Sequence, residues 1–227
     1  MITINNISIS YNNKRNVING LNLKIAANTI NGIVGLNGAG KTTLFNAIFG
    51  LKTIQNGEIL LDNQPFTKKS MAYLPAENYF FYNITGREYL QLFKKDFTEI
   101  EKWNKLFQLP LNQQIEEYST GMKKKLAIFG VLMQEKPIVL LDEPFNGLDI
   151  ETCRLLRLVL LRLKESCKTL IVSSHIIETL TNLCDEIHLL ESGKITKSVS
   201  QVDFSTFEKE VFQTIENERK GLIERLM

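Results

Sequence analysis

The sequence predicts an α/β fold, a parallel sheet with helices on its faces and an inserted helical lobe. Three observations predict it. A short apolar run, I-N-G-I-V-G (30–35), passes through a glycine-rich loop into a segment of helical spacing, K-T-T-L-F-N-A-I-F (41–49). From Pro137 onward strand-like and helix-like segments alternate, the pattern of a parallel sheet covered by helices. Between them, from about 77 to 135, aromatic residues crowd and helix-like segments follow one another. A chain of 227 residues with 44% apolar content is long enough for one full core, or for one domain with a subdomain.

The elements follow in order. Residues 1–11 alternate apolar and polar with a phase slip at Asn5-Asn6, which predicts either a strand pair or one bulged strand. V-I-N-G-L-N-L-K-I (17–25) alternates in its second half and predicts a further strand. The helix from Lys41 stops at Gly50, a residue suited to the position just past a helix end. After Y-F-F-Y (79–82), helices are predicted over 86–95 and 98–107, interrupted at Pro110, with another starting near Ser119. Then come a strand at 138–142, a helix at 151–165, a strand at 169–174, a helix at 176–183 and a strand at 186–190. In the tail, Phe204, Phe207, Val211 and Ile215 fall at helical spacing, followed by Leu222 and Leu226. That stripe is expected to pack on the body, with a partner or dimer contact as the alternative.

Composition excludes several classes. Lys plus Arg (27) against Asp plus Glu (25) leaves +2, which gives no support to a nucleic-acid-binding surface. Cys153, Cys167 and Cys184 form no CxxC pair, and with two histidines there is no zinc framework. Reduced thiols in a cytoplasm are the expectation. The start, M-I-T-I-N-N-I-S-I-S, lacks the basic residues and continuous apolar run of a signal peptide. No stretch of about 18 apolar residues occurs, and the most apolar helix candidate (155–163) is broken by Arg157 and Arg162. A soluble chain is expected, reaching a membrane only through a partner.

G-L-N-G-A-G-K-T (35–42) fits the phosphate-binding pattern G-x-x-x-x-G-K-[ST], with a strand before it and a helix after. Gly35, Gly38 and Gly40 let the backbone curl so that the N–H groups of this loop, Asn37 and Ala39 included, converge on phosphate oxygens. Lys41 supplies a point charge for the β- and γ-phosphates. The Thr42 hydroxyl suits Mg2+, and Thr43 adds its N–H in the first helical turn. With ordinary residue frequencies the pattern arises by chance in about one per cent of chains of this length, before its strand–loop–helix context is counted.

Such a loop needs a carboxylate for the metal, and I-V-L-L-D-E-P (138–144) supplies it. Asp142 ends an apolar strand where it can reach Mg2+ through water, and Glu143, one step on, is the candidate to polarise an attacking water. S-S-H (173–175) ends the next strand. In a parallel sheet the C-terminal strand ends line one crevice, which puts His175 near the γ-phosphate and Glu143. His188, inside a strand pattern, is read as structural. In E-E-Y-S-T-G-M-K-K-K-L (116–126), Lys123, Lys124 and Lys125 stand at a helix start that already favours anions. An anion docked there would account for them, and a solvated face would too.

Together these residues resemble the nucleotide-binding subunit of the ATP-binding cassette (ABC) family, over about residues 1–198, in the bacterial export-type form. Y-S-T-G-M (118–122) falls where that family keeps its signature, N-G-L-D (146–149) resembles its D-loop, and Tyr11 matches the aromatic that stacks on adenine. The resemblance implies a P-loop NTPase core with a parallel sheet (1–76 and 136–198), an antiparallel N-terminal β subdomain, an inserted α-helical subdomain (77–135) and a helical tail (199–227). It implies an Mg-dependent ATPase with ATP and Mg2+ as its ligands, Glu143 and His175 as catalytic residues, and Thr42 and Asp142 at the metal. It further implies a head-to-tail dimer, with itself or with a related cassette, in which Ser119 and Gly121 meet the γ-phosphate held by the other subunit and Asp149 lies at the interface. The partners would be transmembrane subunits of a transporter, which hold the chain at the inner face of the cell membrane.

Two segments depart from the family. Thr120 and Met122 stand where it usually has glycine and glutamine, an S-x-G-M-K form similar to many bacterial export-type subunits. Ala76 stands where its Q-loop glutamine touches the metal and senses the membrane partner. Neighbouring Glu77 is the candidate substitute. The aromatic run 79–82 lies where the family receives its membrane partner. Two other classes stay open: a soluble ABC ATPase that remodels a cytosolic partner, and a binding-only regulatory cassette.

Overall fold

The computed structural model describes residues 1–11, 15–65, 68–213 and 216. Two sheets pack on a shared core. The first is antiparallel, in the order β2-β1-β4-β5, from β1 (Ile2–Tyr11), β2 (Arg15–Ile25), β4 (Asn56–Leu61) and β5 (Gln64–Pro65). Of the two readings of residues 1–11, the single bulged strand is the one formed. Asn6 adopts φ 50° and the pairing with both neighbours slips across this point, because the extra residue restores the inward phase of Ile7 and Ile9.

The second sheet runs β10-β9-β3-β8-β7-β6. Its members are β3 (Ile30–Val34), β6 (Met71–Leu74), β7 (Ile138–Leu141), β8 (Thr169–Ser174), β9 (Glu186–Glu191) and β10 (Lys194–Ser200). The pairs from β9 through β3, β8 and β7 to β6 are parallel, and β10 closes one edge antiparallel. The central strands are buried on both faces, so their apolar runs are continuous and divide by parity. Val139 and Leu141, Leu170 and Val172, and Ile30 and Val34 join one core; Ile138 and Leu140, Ile171 and Ile33 join the other.

The second of these cores lies between the two sheets and takes in α1 (Lys41–Ile48), which ends before Gly50 at φ 74°. The first takes in the helical lobe, α5 (Ile150–Glu165), α6 (Ile177–Thr181) and the helical run over 204–213. There Phe204 and Phe207 are buried and Val211 packs against them, as the tail stripe requires. Ile215, Leu222 and Leu226 lie outside the described residues.

The lobe consists of α2 (Gly86–Gln91), α3 (Phe97–Phe107) and α4 (Thr120–Leu132). Thr85 and Glu88 form a reciprocal capping box on α2, and Asp96 caps α3. Phe107 stacks on Phe129 with ring centroids 4.8 Å apart, an arrangement that contributes about 0.5–1.5 kcal/mol beyond the area it buries. The aromatic run divides unevenly. Phe80 packs edge-on against Tyr89 at 5.1 Å, whereas Tyr79, Phe81 and Tyr82 stay 83%, 66% and 85% exposed.

Strands β4, β5, β6 and β10 go beyond what periodicity indicated. β6 has four residues, and β4 and β10 have few buried positions, so their patterns were too short or too polar to register.

Candidate nucleotide site

The parallel register carries the three candidate segments to one edge of the sheet. Val34 pairs with Ser174 and Leu141 with Val172. The loop from Gly35, the pair Asp142 and Glu143, and His175 therefore leave the sheet at the same level.

Gly38 and Gly40 adopt φ 83° and 109°, where side chains are disfavoured. A Cβ on Gly40 would lie 2.9 Å from Ile18 Cδ1, whereas one on Gly38 would meet nothing within 4 Å. Gly38 is thus required for conformation and leaves its backbone open to a ligand. Helix α1 follows with no side-chain cap and no acidic residue in its first turn, so its leading N–H groups remain available to an anion.

Lys41 is buried, at 7% exposure. Its Nζ donates to the carbonyls of Gly35 (2.7 Å) and Leu36 (3.4 Å) and pairs with Glu143 Oε1 at 3.3 Å. Asp142 is fully buried and takes two hydroxyls: Thr42 Oγ1 donates to Oδ2 at 2.7 Å and Ser173 Oγ to Oδ1 at 2.5 Å. The Glu143 N–H donates to that same Ser173 oxygen at 2.8 Å, and Glu143 sits at φ 49°, an uncommon conformation outside glycine. Its Oε2 lies 2.9 Å from His175 Nδ1. The other histidine, His188, is buried against Asn31 and Ser198, and burial lowers its pKa to about 4. It is a neutral structural residue.

These groups border a cavity of about 520 Å³, lined by Asn37, Gly38, Gly40, Lys41, Thr42 and Thr43 on one side and by Val17, Ala76, Glu143, Asn146 and His175 on the other. Asp142 lies beneath it, reached through Thr42. Ala39 faces a larger cavity of about 830 Å³ between the loop and the 204–213 helix. That space is lined largely by apolar side chains, and its Lys197 and Glu210 are paired with each other, so the smaller cavity is the one with converging donors. Tyr11 is half exposed, with its hydroxyl oxygen 3.4 Å from Thr43 Oγ1 and Lys52 Nζ 3.8 Å from its ring centroid.

Ser119 and Gly121 do not line this cavity. Ser119 caps α4, its Oγ accepting from the Met122 N–H at 3.2 Å, and its side chain is exposed. A Cβ on Gly121 would stand 3.5 Å from the Gly147 carbonyl, so the segments 119–122 and 146–149 adjoin. Lys125 Nζ and Asp149 Oδ2 join them at 3.8 Å. Asp149 also caps α5, and its hydrogen bonds from Thr152, the backbone one first, hold its carboxyl below the usual range.

Thr42 and Asp142 fit Mg2+. They offer two hard oxygens 2.7 Å apart, and Mg2+ is commonly bound by one or two protein oxygens, with phosphate and water completing an octahedron. Among the described residues no group of three or more His, Cys, Asp or Glu could form an all-protein cage for another metal. Ala76 lines the cavity with a methyl group, whereas Glu77 is exposed and accepts from the Tyr79 hydroxyl at 2.9 Å.

Sequence reasoning passed over Ser173, Asn146 and Val17. Ser173 carried a faint signal, a hydroxyl residue at the end of a strand next to the carboxylate strand, but its role depends on cross-strand register. Asn146 opens the N-G-L-D segment but was given no role at the cavity, and Val17 carried no signal.

Comparison with known proteins agrees with this geometry. A family model described as "ABC transporter" matches residues 18–146. The chain is 32% identical over 215 residues to the ABC transporter ATP-binding protein NatA of Bacillus subtilis (strain 168), covering 86% of this chain and 87% of that protein. Its fold is similar to that of a bacterial Atm1-family ABC exporter with ATP bound (TM-score 0.83, 24% identity, 91% of this chain and 40% of that one). It is also similar to a dimeric ATP-binding cassette in a post-hydrolysis state with ADP and Pi (TM-score 0.77, 21% identity, 88% of this chain and 99% of that one). With a phosphate loop and a paired-carboxylate strand end in one α/β body, the chain belongs to the ABC transporter family, as one of its ATP-binding subunits.

Proposed function

We propose that this subunit is an Mg-dependent ATPase that drives a membrane transporter, an exporter, through closure of a head-to-tail dimer around two ATP molecules. The observation that carries the proposal is a separation. Lys41, Thr42, Glu143 and His175 border one cavity with Asp142 beneath it, whereas Ser119 and Gly121, the signature positions, are absent from its lining. A second cassette supplies the missing contacts.

In this reading the loop N–H groups and Lys41 hold the β- and γ-phosphates, Thr42 and Asp142 hold Mg2+, and Tyr11 offers its ring to adenine. The bound metal would neutralise charge developing on the phosphates. Glu143 accepts the proton of the attacking water, oriented by His175 at 2.9 Å and by the Ser173 bond to its backbone. Lys41 Nζ lies 3.3 Å from Glu143 Oε1; phosphate bound by the loop would compete for this ammonium and leave the Glu143 carboxylate free to act as a base.

We assign segments 1–76 and 136–198 to the nucleotide core and 77–135 to the lobe that meets the partner; the expected tail starts later than 199, because β10 runs to Ser200, and the helical run described after it covers 204–213. Exposed Tyr79, Phe81 and Tyr82 favour a transmembrane partner with an apolar docking segment over a soluble one. Among the described residues no helix is long and apolar enough to cross a membrane, so membrane attachment runs through that partner at the inner face of the cell membrane. The S-x-G-M-K signature and the fold likeness to an exporter support export.

ATP turnover by the purified chain tests the reading. Hydrolysis should require a divalent cation, stop with a chelator and rise faster than linearly with protein concentration. Turnover that is strictly proportional to protein concentration, or indifferent to chelation, contradicts it.

A further inference from the structure

Tyr11 is held at two points. At the far end of its ring the hydroxyl oxygen lies 3.4 Å from Thr43 Oγ1, in the first turn of α1. Over the ring itself, Lys52 Nζ stands 3.8 Å from the centroid, well inside the roughly 6 Å over which an aromatic face attracts an ammonium. The residue nevertheless stays 47% exposed, so these contacts fix the ring without covering it.

The fold puts Lys52 there. At the end of α1 the N–H groups of Leu51 and Lys52 both donate to the Asn46 carbonyl, at 2.7 and 3.1 Å, after Gly50 at φ 74° has turned the chain. The returning segment is then tied to the end of β1: the Gln55 N–H donates to the Ser8 carbonyl at 2.9 Å and Gln55 Nε2 to Ser10 Oγ at 2.7 Å. β1 ends one residue later, at Tyr11. This segment leads into β4 on one flank of β1, whereas Val17, which lines the nucleotide cavity, belongs to β2 on the other flank. The ammonium and the cavity wall thus reach the end of β1 from opposite flanks, which leaves the ring face away from Lys52 for a ligand.

We propose that Lys52 is a positioning residue for the base of the nucleotide. Its ammonium covers one face of the Tyr11 ring, keeps the ring beside Thr43 and draws electron density from it, so that the opposite face stacks more firmly on an electron-rich purine. Lys41 and the loop hold the phosphates, and Lys52 is absent from the lining of their cavity, so its effect is confined to the base. The inference rests on the reading of Tyr11 as the ring offered to adenine.

The test is equilibrium binding of ADP and of pyrophosphate by the full-length chain with Mg2+ present, measured by calorimetry. Pyrophosphate presents phosphates without a base. Lys52→Met keeps the length of the side chain and removes its charge, and at this half-buried position outside the core it should leave the thermal midpoint in place. It should weaken ADP binding by about twofold to fivefold, the loss of one exposed cation–π contact, and leave pyrophosphate binding unchanged. Lys52→Arg should keep the original ADP affinity. In a Tyr11→Ala chain, Lys52→Met should cost nothing further, because the ring through which it acts is gone. Equal ADP affinity in the Met variant and the original chain overturns the inference alone. So does an equal loss for ADP and pyrophosphate, or a loss that persists without the ring. If Tyr11→Ala itself leaves ADP affinity unchanged, the reading of Tyr11 falls, and the inference with it.

Discussion

Glu143→Gln is expected to lower steady-state ATP hydrolysis by roughly 10²- to 10⁴-fold, the usual contribution of a general base, while ATP binding persists. The substitution keeps the shape of the side chain and its hydrogen-bonding reach to His175, 2.9 Å away. What it removes is the capacity to take a proton. It also ends the ion pair with Lys41, so Lys41 no longer has a competing carboxylate when phosphate arrives, and nucleotide affinity should hold or improve. ATP-bound dimers should then accumulate, visible by light scattering coupled to gel filtration. Hydrolysis at the original rate would remove Glu143 from the mechanism.

Lys41→Ala is expected to weaken ATP binding by roughly 10- to 100-fold, from the 1.5–3 kcal/mol of a hydrogen bond to a charged group, with turnover lost at ordinary ATP concentrations. The ammonium is held at the loop's own carbonyls, so it is in place before a ligand arrives and little ordering cost is paid on binding. Equilibrium titration with a fluorescent ATP analogue measures the loss. Retained affinity would contradict the assignment of the phosphate loop.

Much of this site was legible in the sequence because its logic is local. The loop from Gly35 to Thr42 carries its conformation in its glycines and its charge in Lys41, and a short apolar strand before it fixes where it stands. Asp142 and His175 were placed by one rule, that parallel strands end at the same edge, and the register of β3, β8 and β7 obeys it. What escaped depends on contacts between strands and helices distant in the chain. Ser173 joins Asp142 to the Glu143 backbone only because β7 and β8 are neighbours. Lys123, Lys124 and Lys125 read alike, as a docked anion's neighbours or as a solvated face, and no periodicity distinguishes Lys124, the one that is buried. The bulge at Asn6 was visible as a slipped phase, yet choosing one strand over two required the pairing partners in β2 and β4. The division of the aromatic run, with Phe80 inside and its three neighbours exposed, likewise depends on where Tyr89 stands.

The central claim is that the cavity around Lys41 is half of an active site, completed by Ser119 and Gly121 of a second cassette. Mixing two inactive chains tests it most directly. One carries Lys41→Ala, and the other carries Gly121→Asp, which sets a carboxylate against the phosphate it should meet. In a head-to-tail heterodimer both lesions fall on one site and the other site is intact. Mixing should therefore restore turnover that neither chain has alone. If the mixture stays as inactive as its components while gel filtration shows that the two chains associate, the composite site does not exist in this protein.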